Sequence, residues 1–353
     1  MNAIYPAIAA FVPFLWAAYA DVTRRGGAIF LINTWASALV VLVLPSLTGL
    51  VPVALAVLVF AVFRTPLMPL ANSMAFRALA GRPQGFAAIR LWGTIGYILA
   101  AVGVGFLVDR IGLRAAMYGI GLTTIGCGLI GWMGRSRERA DLSPVHLRDF
   151  LEALRDRRFV LLLVAASLAR LSFGPYTTFF TIHLDRLGLS GSFAGTAWAV
   201  AAASELVAMV YWTRLRALAS TRMWFSLALA THALRWLLSI AAREPVSLLA
   251  IQVTHALTFG VFYLAAVEEA DALAPDGLRA TAQGLFSSVV FGLSGLLGNV
   301  LSGFLYEPLG MSWLYAGAAV VSAGGALLYW GGTRQAVAAG RVPATRAEGG
   351  VRR

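Results

Sequence analysis

Residues 199–212 read AVAAASELVAMVYW, a run with one ionisable side chain, Glu205, and apolar residues on both sides of it. A carboxylate in such a setting is costly to keep. The setting becomes intelligible once the rest of the chain is read outward from it. Of 353 residues, 59% are hydrophobic and only 12% charged, about half the charge that a soluble domain carries. A bilayer core takes about 20 apolar residues per helix. Eleven runs of suitable length and composition follow one another, at 3–20, 28–45, 49–75, 87–108, 113–133, 158–184, 191–213, 222–241, 245–270, 280–304 and 309–331. The chain therefore reads as an all-α integral membrane protein, and Glu205 lies near the middle of one span.

The net charge of +12 comes from 28 basic residues, all of them arginine. Without lysine there is neither a Walker-type phosphate loop nor a Schiff base. The single cysteine, Cys127, cannot form an intrachain disulfide. The opening run, IYPAIAAFVPFLWAAYAD, is followed at once by charge and a further apolar run, the pattern of a spanning helix rather than a cleaved leader.

Position, rather than number, gives the arginines their meaning. Arg24, Arg25, Arg77, Arg82, Arg214, Arg216, Arg222 and Arg279 fall on one side of the predicted spans, together with the arginines of a polar stretch at 135–157 and of a polar tail at 334–353. Arg110, Arg114, Arg186 and Arg243 fall on the other. The positive-inside rule then places the linker and the C-terminus in the cytoplasm, and it accounts for the basic charge without a nucleic-acid partner.

The polar stretch divides the spans into five and six. This gives an N-terminal helical half at 1–134, a cytoplasmic linker at 135–157, a C-terminal half at 158–333 and a disordered tail at 334–353. Within the linker, VHLRDFLEALRDRRF has the amphipathic pattern of a connector on the membrane surface. The halves are related. GFLVDRIGL at 105–113 matches GFLYEPLGM at 303–311, and Gly93 and Gly96 match Gly292 and Gly295. Two helical units in the same orientation indicate a parallel-repeat transporter. The repeat would place a partner for the 158–184 span ahead of Met1. The expectation is therefore a first helix missing from the usual twelve, through a late start codon or a truncation.

Several ionisable residues lie within or at the edges of spans. An acid near the bilayer centre costs about 3 kcal/mol on insertion scales, so Glu205 should face the bundle interior and a partner. Arg170, Arg235 and His255 fall at comparable depth on neighbouring spans. A group that changes protonation as its surroundings change is what proton coupling requires, and here a histidine titrates near neutrality while burial moves a carboxyl toward that range. His232 shares the helical face of Arg235. In the first half, Arg64 lies near mid-span, and Arg90 opens the run IRLWGTIGYILA. RTPLMPLANSMAF, at 64–76, holds two prolines that free backbone groups, which a membrane tolerates only where neighbours or water satisfy them. Glu268, Glu269 and Asp271 read as a solvated helix end. No sequence signature of a metalloprotease, a serine hydrolase or a paired Cys-x-x-Cys occurs, and neither an enzyme activity, a cofactor nor a metal is expected.

The runs IRLWGTIGYI (89–98), WAVAAASELVAMVYW (198–212), ALRWLL (233–238), THALTFGVFYLAA (254–266) and TAQGLFSSVVFGLSGLLGNVLSGFLYEPLG (281–310) together resemble the major facilitator superfamily. Within it they resemble the phenylpropionate permease-like group related to lactose permease. The resemblance covers nearly the whole chain except the first helix. It implies that Glu205 binds substrate and links it to proton movement, that Arg235 and His255 belong to the same polar cluster, and that Arg90 contacts substrate. AYADVTRRGG, with Asp21, Arg24 and Arg25, resembles the family's cytoplasmic gate motif, one residue shorter and with Val22 where a base is usual. Two departures bear on chemistry. Asn72 stands where the pattern has an acid, which suits an anionic substrate better than a sugar. Thr258 stands where lactose permease keeps its proton-binding acid, which leaves Glu205 as the expected carrier, with Glu268 or Glu269 behind it.

The expectation is a monomeric, multi-pass secondary transporter of the bacterial inner membrane that moves a small organic solute, an aromatic or other carboxylate, by proton-coupled symport. Its proton-coupling residues would be Glu205, His255 and Arg235. Its substrate-binding residues would be Arg90, Asn72, Arg64, Arg170 and Glu205. A non-transporting sensor or a remnant of such a transporter is the rival reading, and a sugar or nucleoside permease a further one.

Overall fold

A computed structural model describes residues 4–79, 85–111, 114–133, 156–275 and 277–338. The linker expected at 135–157 and the tail expected at 334–353 lie outside the described residues, apart from 156–157 and 334–338. Every regular element among the described residues is helical. Among the described residues, eight stretches are long and apolar enough to cross a membrane: Gly26–Ser46, Leu50–Ala78, Ala116–Met133, Arg157–Arg186, Phe193–Leu218, Thr221–Ala241, Pro245–Ala272 and Arg279–Thr333. The difference from eleven has local causes. Ala7–Thr23 is apolar but shorter, and Phe86–Ile111 adds a 26-residue helix. Arg279–Thr333 contains two expected spans, joined without a loop where Pro308 and Gly310, at φ 75°, turn the backbone.

The residues group into two compact units. One comprises Met1–Arg155 with Ala270–Leu301, the other Asp156–Glu269 with Ser302–Arg353.

In the first unit the breaks in the helices follow the prolines. Ile4–Ala9 stops two residues before Val12–Thr23, which carries Pro13 in its first turn. Leu50–Arg64 ends ahead of Pro66, and the chain resumes as Leu67–Ala78, because proline cannot donate to the preceding turn and clashes with it. Residues 279–301 lie against the opening helices along a seam of small side chains four residues apart. A Cβ on Gly284 would overlap Ala17 and Pro13, and one on Gly292 would overlap the backbone of Ala9. Between them, the Ser288 hydroxyl accepts from the Phe14 N–H at 3.0 Å. Small residues at this spacing let two backbones approach closely. Gly26–Val43 and Arg114–Met133 meet in the same way, with Gly121, Gly128 and Gly131 beneath Leu42, Trp35 and Leu31.

The second unit has an aromatic core. Phe173, Tyr176, Phe180, Trp236, Tyr306 and Tyr315 are all buried within it. Trp236 stacks on Tyr315 at 5.6 Å and donates to Ser172 Oγ at 3.0 Å, which also accepts from Ser322 at 2.8 Å. Three helices start with a side-chain cap. Asp156 accepts from Arg158 N, Ser190 from Phe193 N and Ser220 from Met223 N, each satisfying a donor the first turn leaves over. The Pro245–Ala272 span is not uniform. Pro245–Val253 gives way to a π-helical turn at Ala256–Val261 before Phe262–Ala272 resumes the α-helix.

Candidate functional site

The Pro245–Ala272 span, the helix Thr221–Ala241 and the helix Gly174–Arg186 build a polar cluster in the second unit. Arg235 is completely buried. Its Nη1 donates to His255 Nδ1 at 3.1 Å and to Thr258 Oγ1 at 3.0 Å, and its Nη2 donates to Gln252 Oε1 at 3.0 Å. The Tyr176 hydroxyl donates to the same Gln252 oxygen at 2.8 Å. The guanidinium also lies over the rings of Tyr176 (4.6 Å), Trp236 (5.3 Å) and Phe173 (5.7 Å). Arginine can only donate, so His255 Nδ1 accepts and the ring proton sits on Nε2. The partners of this cation are thus three neutral polar side chains and an aromatic cage. Cation–π contact and fixed dipoles replace the counter-ion that a buried charge otherwise needs.

Glu205 lies midway along Gly191–Leu218 and is 9% exposed. Gly260 of the π-helical turn rests against it. A Cβ there would lie 3.4 Å from the Glu205 carbonyl oxygen and 3.0 Å from Ala208 Cβ. Next to Glu205, the Ser204 hydroxyl reaches the Gln252 carbonyl at 3.4 Å. Glu205 therefore sits on the helix packed directly on the Arg235 cluster, although Arg235 itself bonds Gln252, His255 and Thr258 rather than this acid. Arg170 is half-buried near the end of Arg157–Ser172.

The residues of the first unit are more dispersed. Arg90 is half-buried and folds along its own helix, with Nη1 donating to Thr94 Oγ1 at 3.3 Å. Gly93 makes room for it, since a Cβ there would lie 3.1 Å from that Nη1. Asn72 is buried in Leu67–Ala78, whereas Arg64 is exposed at the end of Leu50–Arg64. Asp21 is buried, and its Oδ2 accepts from the Thr281 N–H at 2.5 Å and the Thr281 hydroxyl at 2.7 Å. This carboxylate takes a backbone donor from the first turn of a helix, where the dipole favours negative charge. Arg24 follows in the left-handed region at φ 55° and ends Val12–Thr23. Arg25 is exposed, and its N–H closes the same turn on the Ala20 carbonyl at 3.2 Å.

One expectation is corrected. Glu268, Glu269 and Asp271 do not form a solvated helix end; all three are buried. Glu268 accepts from Trp212 Nε1 at 2.6 Å and from Arg216 Nε at 3.1 Å. Glu269 pairs with Arg222 at 3.1 Å, and Asp271 with Arg279 at 3.7 Å. The arginines reach in from neighbouring helix ends and cover the acids. Gln252 and Tyr176 were missed by sequence reasoning. Gln252 had a signal, as a lone amide in the apolar run VSLLAIQVTHAL. Tyr176 had none, since tyrosines are common in this chain. No group of His, Cys, Asp or Glu among the described residues could hold a metal ion.

Long apolar helices with buried charged clusters at their middles and ends are the anatomy of a membrane transporter. A family model described as "MFS_1 like family" matches residues 1–316. The chain belongs to this family. It is 29% identical over 306 residues to the maltose permease of Geobacillus stearothermophilus, covering 83% of this chain and 74% of that one. It is 26% identical over 262 residues to a probable 3-phenylpropionic acid transporter of Escherichia coli, covering 71% of this chain and 66% of that one. The crystal structure of a human organic anion transporter superposes with a TM-score of 0.78 at 16% identity, over 93% of this chain and 83% of that one. At that identity the likeness establishes the fold alone. This MFS_1-like chain is thus an all-helical, multi-pass membrane transporter of small solutes, and its family is one of carriers rather than enzymes.

Proposed function

We propose that the chain is a proton-coupled symporter of a small organic anion, an aromatic or other carboxylate, working by alternating access in the bacterial inner membrane as a monomer with its C-terminus in the cytoplasm. The observation that carries this reading is the Arg235 cluster. A fully buried cation held only by neutral partners, next to a helix with a mid-span acid, is an arrangement whose charge balance changes when Glu205 or His255 gains or loses a proton. Glu205 is assigned the proton, and Arg235 and His255 respond to it. Arg90 is assigned the carboxylate of the solute, supported by Asn72 in place of an acid, with Arg170 and Arg64 as lesser contributors. Asp21, Arg24 and Arg25 act as a gate. The linker at 135–157 joins two helical halves, 1–134 and 158–333.

The test is uptake by the full chain in proteoliposomes under an imposed pH gradient, with labelled 3-phenylpropionate and maltose as probes. The expected result is gradient-driven uptake of the carboxylate and loss of gradient dependence in Glu205→Gln. Gradient dependence that survives Glu205→Gln would sink the coupling role. Uptake of maltose instead would support a second reading, a sugar permease, which the 29% identity to a maltose permease favours. Uptake of neither probe or of any wider solute panel would leave the non-transporting sensor as the better account.

A further inference from the structure

A pocket lies in the second unit, at the opposite end of its spans from Glu268. Arg186 ends the helix Gly174–Arg186, while residues 303–308 precede the turn at Gly310. Phe179, Ile182 and Arg186 recur at intervals of three and four and so share one helical face. The Phe179 ring stacks on Tyr306 with centroids 4.0 Å apart and planes within 5°. The Arg186 guanidinium lies 4.7 Å from the Tyr306 ring. These side chains, with Gly303, Phe304, Glu307 and Pro308, line a pocket of about 480 Å³, within the range that takes a small ligand. At Gly303 the pocket wall is open, for no atom lies within 4 Å of where a Cβ would be.

The charges of the pocket are unspent. Arg186 is placed by its ring contact, yet makes no hydrogen bond or ion pair with another described residue, and neither does Glu307. One cation and one carboxylate thus face the same space without pairing with each other. Beside them Ile182 and Phe304 are 46% and 77% exposed. Exposed apolar side chains below, with a cation and an anion where the helices end, match the layering of a bilayer, acyl chains beneath and headgroups at helix-end depth. A soluble zwitterion would use the two charges but not the apolar flank.

We propose that this pocket binds the headgroup of a zwitterionic phospholipid, with its phosphate on Arg186, its ammonium on Glu307 and its acyl chains along Ile182 and Phe304. A primary ammonium is preferred to a quaternary one, since only the former can donate hydrogen bonds to the carboxylate. The inference is independent of which solute is carried.

The experiment is native mass spectrometry of the full chain titrated with phosphatidylethanolamine, phosphatidylcholine and phosphatidylglycerol of matched acyl chains. Phosphatidylethanolamine should be retained about fivefold better than phosphatidylglycerol, the scale of one half-exposed ion pair. Glu307→Gln should abolish that preference, Arg186→Gln should lower retention of all three lipids, and Arg186→Lys should restore part of it. Melting temperatures verify that each variant is folded, and the lysine variant serves if the glutamine one is not. Equal retention of the three lipids by the unaltered chain, or retention unmoved by both substitutions, would overturn the proposal. Binding of O-phosphoethanolamine to the delipidated chain as tightly as phosphatidylethanolamine would also overturn it, in favour of a soluble zwitterion, since the apolar flank would then contribute nothing.

Discussion

Arg235 and Glu268 are both buried charges of the second unit, and they are handled in opposite ways. Near the middle of its span, Arg235 meets an amide, an imidazole, a hydroxyl and three aromatic rings. At the end of its span, Glu268 meets a guanidinium and an indole N–H, and its neighbour Glu269 has an arginine of its own. The second arrangement is neutral and closed. It ties Gly191–Leu218 and Thr221–Ala241 to the span that carries both acids, and it has no reason to respond to a passing charge. The first holds a full positive charge among neutral side chains and aromatic faces. Position along the helix decides between the two, because an arginine at a helix end can reach inward from solvent whereas mid-span no second charge is available without cost.

The comparison can be broken most directly at Arg235. Arg235→Met should reduce uptake at least about tenfold, while Arg235→Lys should not rescue it, since a point charge cannot serve His255, Thr258 and Gln252 at once. Retained uptake in either variant would remove the cluster from the mechanism. Next in size is the seam of the first unit. Gly292→Leu pushes a side chain into the Ala9 backbone and should cost about 3 kcal/mol, read as a lowered melting temperature, with Gly303→Ala as an unaffected control. Glu268→Gln keeps an acceptor for Trp212 but loses the charge for Arg216, which is 24% exposed. It should cost about 1 kcal/mol in stability while leaving the gradient dependence of uptake unchanged. A changed gradient dependence there would erase the contrast between the two clusters. The smallest effect is expected at Arg24, whose left-handed backbone suits glycine. Arg24→Gly should stabilise the fold by about 0.5 kcal/mol, the relief of strain less the entropy glycine adds to the unfolded chain, read as a slightly raised melting temperature.

The spans were legible because apolar length is a one-dimensional property, and so was the link between Arg235 and His255, whose residue types and depth stand out against their surroundings. The burial of Glu268, Glu269 and Asp271 was not legible, because three acids at the end of an apolar run look the same whether water or arginine covers them. Nor was the bond from Asp21 to Thr281, which joins positions 260 residues apart. The join at Gly310 was hidden by a local ambiguity. Pro308 and Gly310 announce a turn, but two helices that meet at a single non-helical residue leave no loop to read in the sequence.

The π-helical turn at Ala256–Val261 separates the two clusters along one span, with His255 at its start and Glu268 beyond its end. Such a turn holds one residue more than the α-helical repeat, and a residue of α-helix is worth about 100° of rotation. The turn therefore sets the phase between the Arg235 cluster and the Glu268 cluster. Were one residue lost there, the helix downstream would rotate as a whole, and Glu268 would swing away from Trp212 and Arg216 while His255 stayed in place. The span behaves as a shaft with a keyed joint, and the key is a single residue.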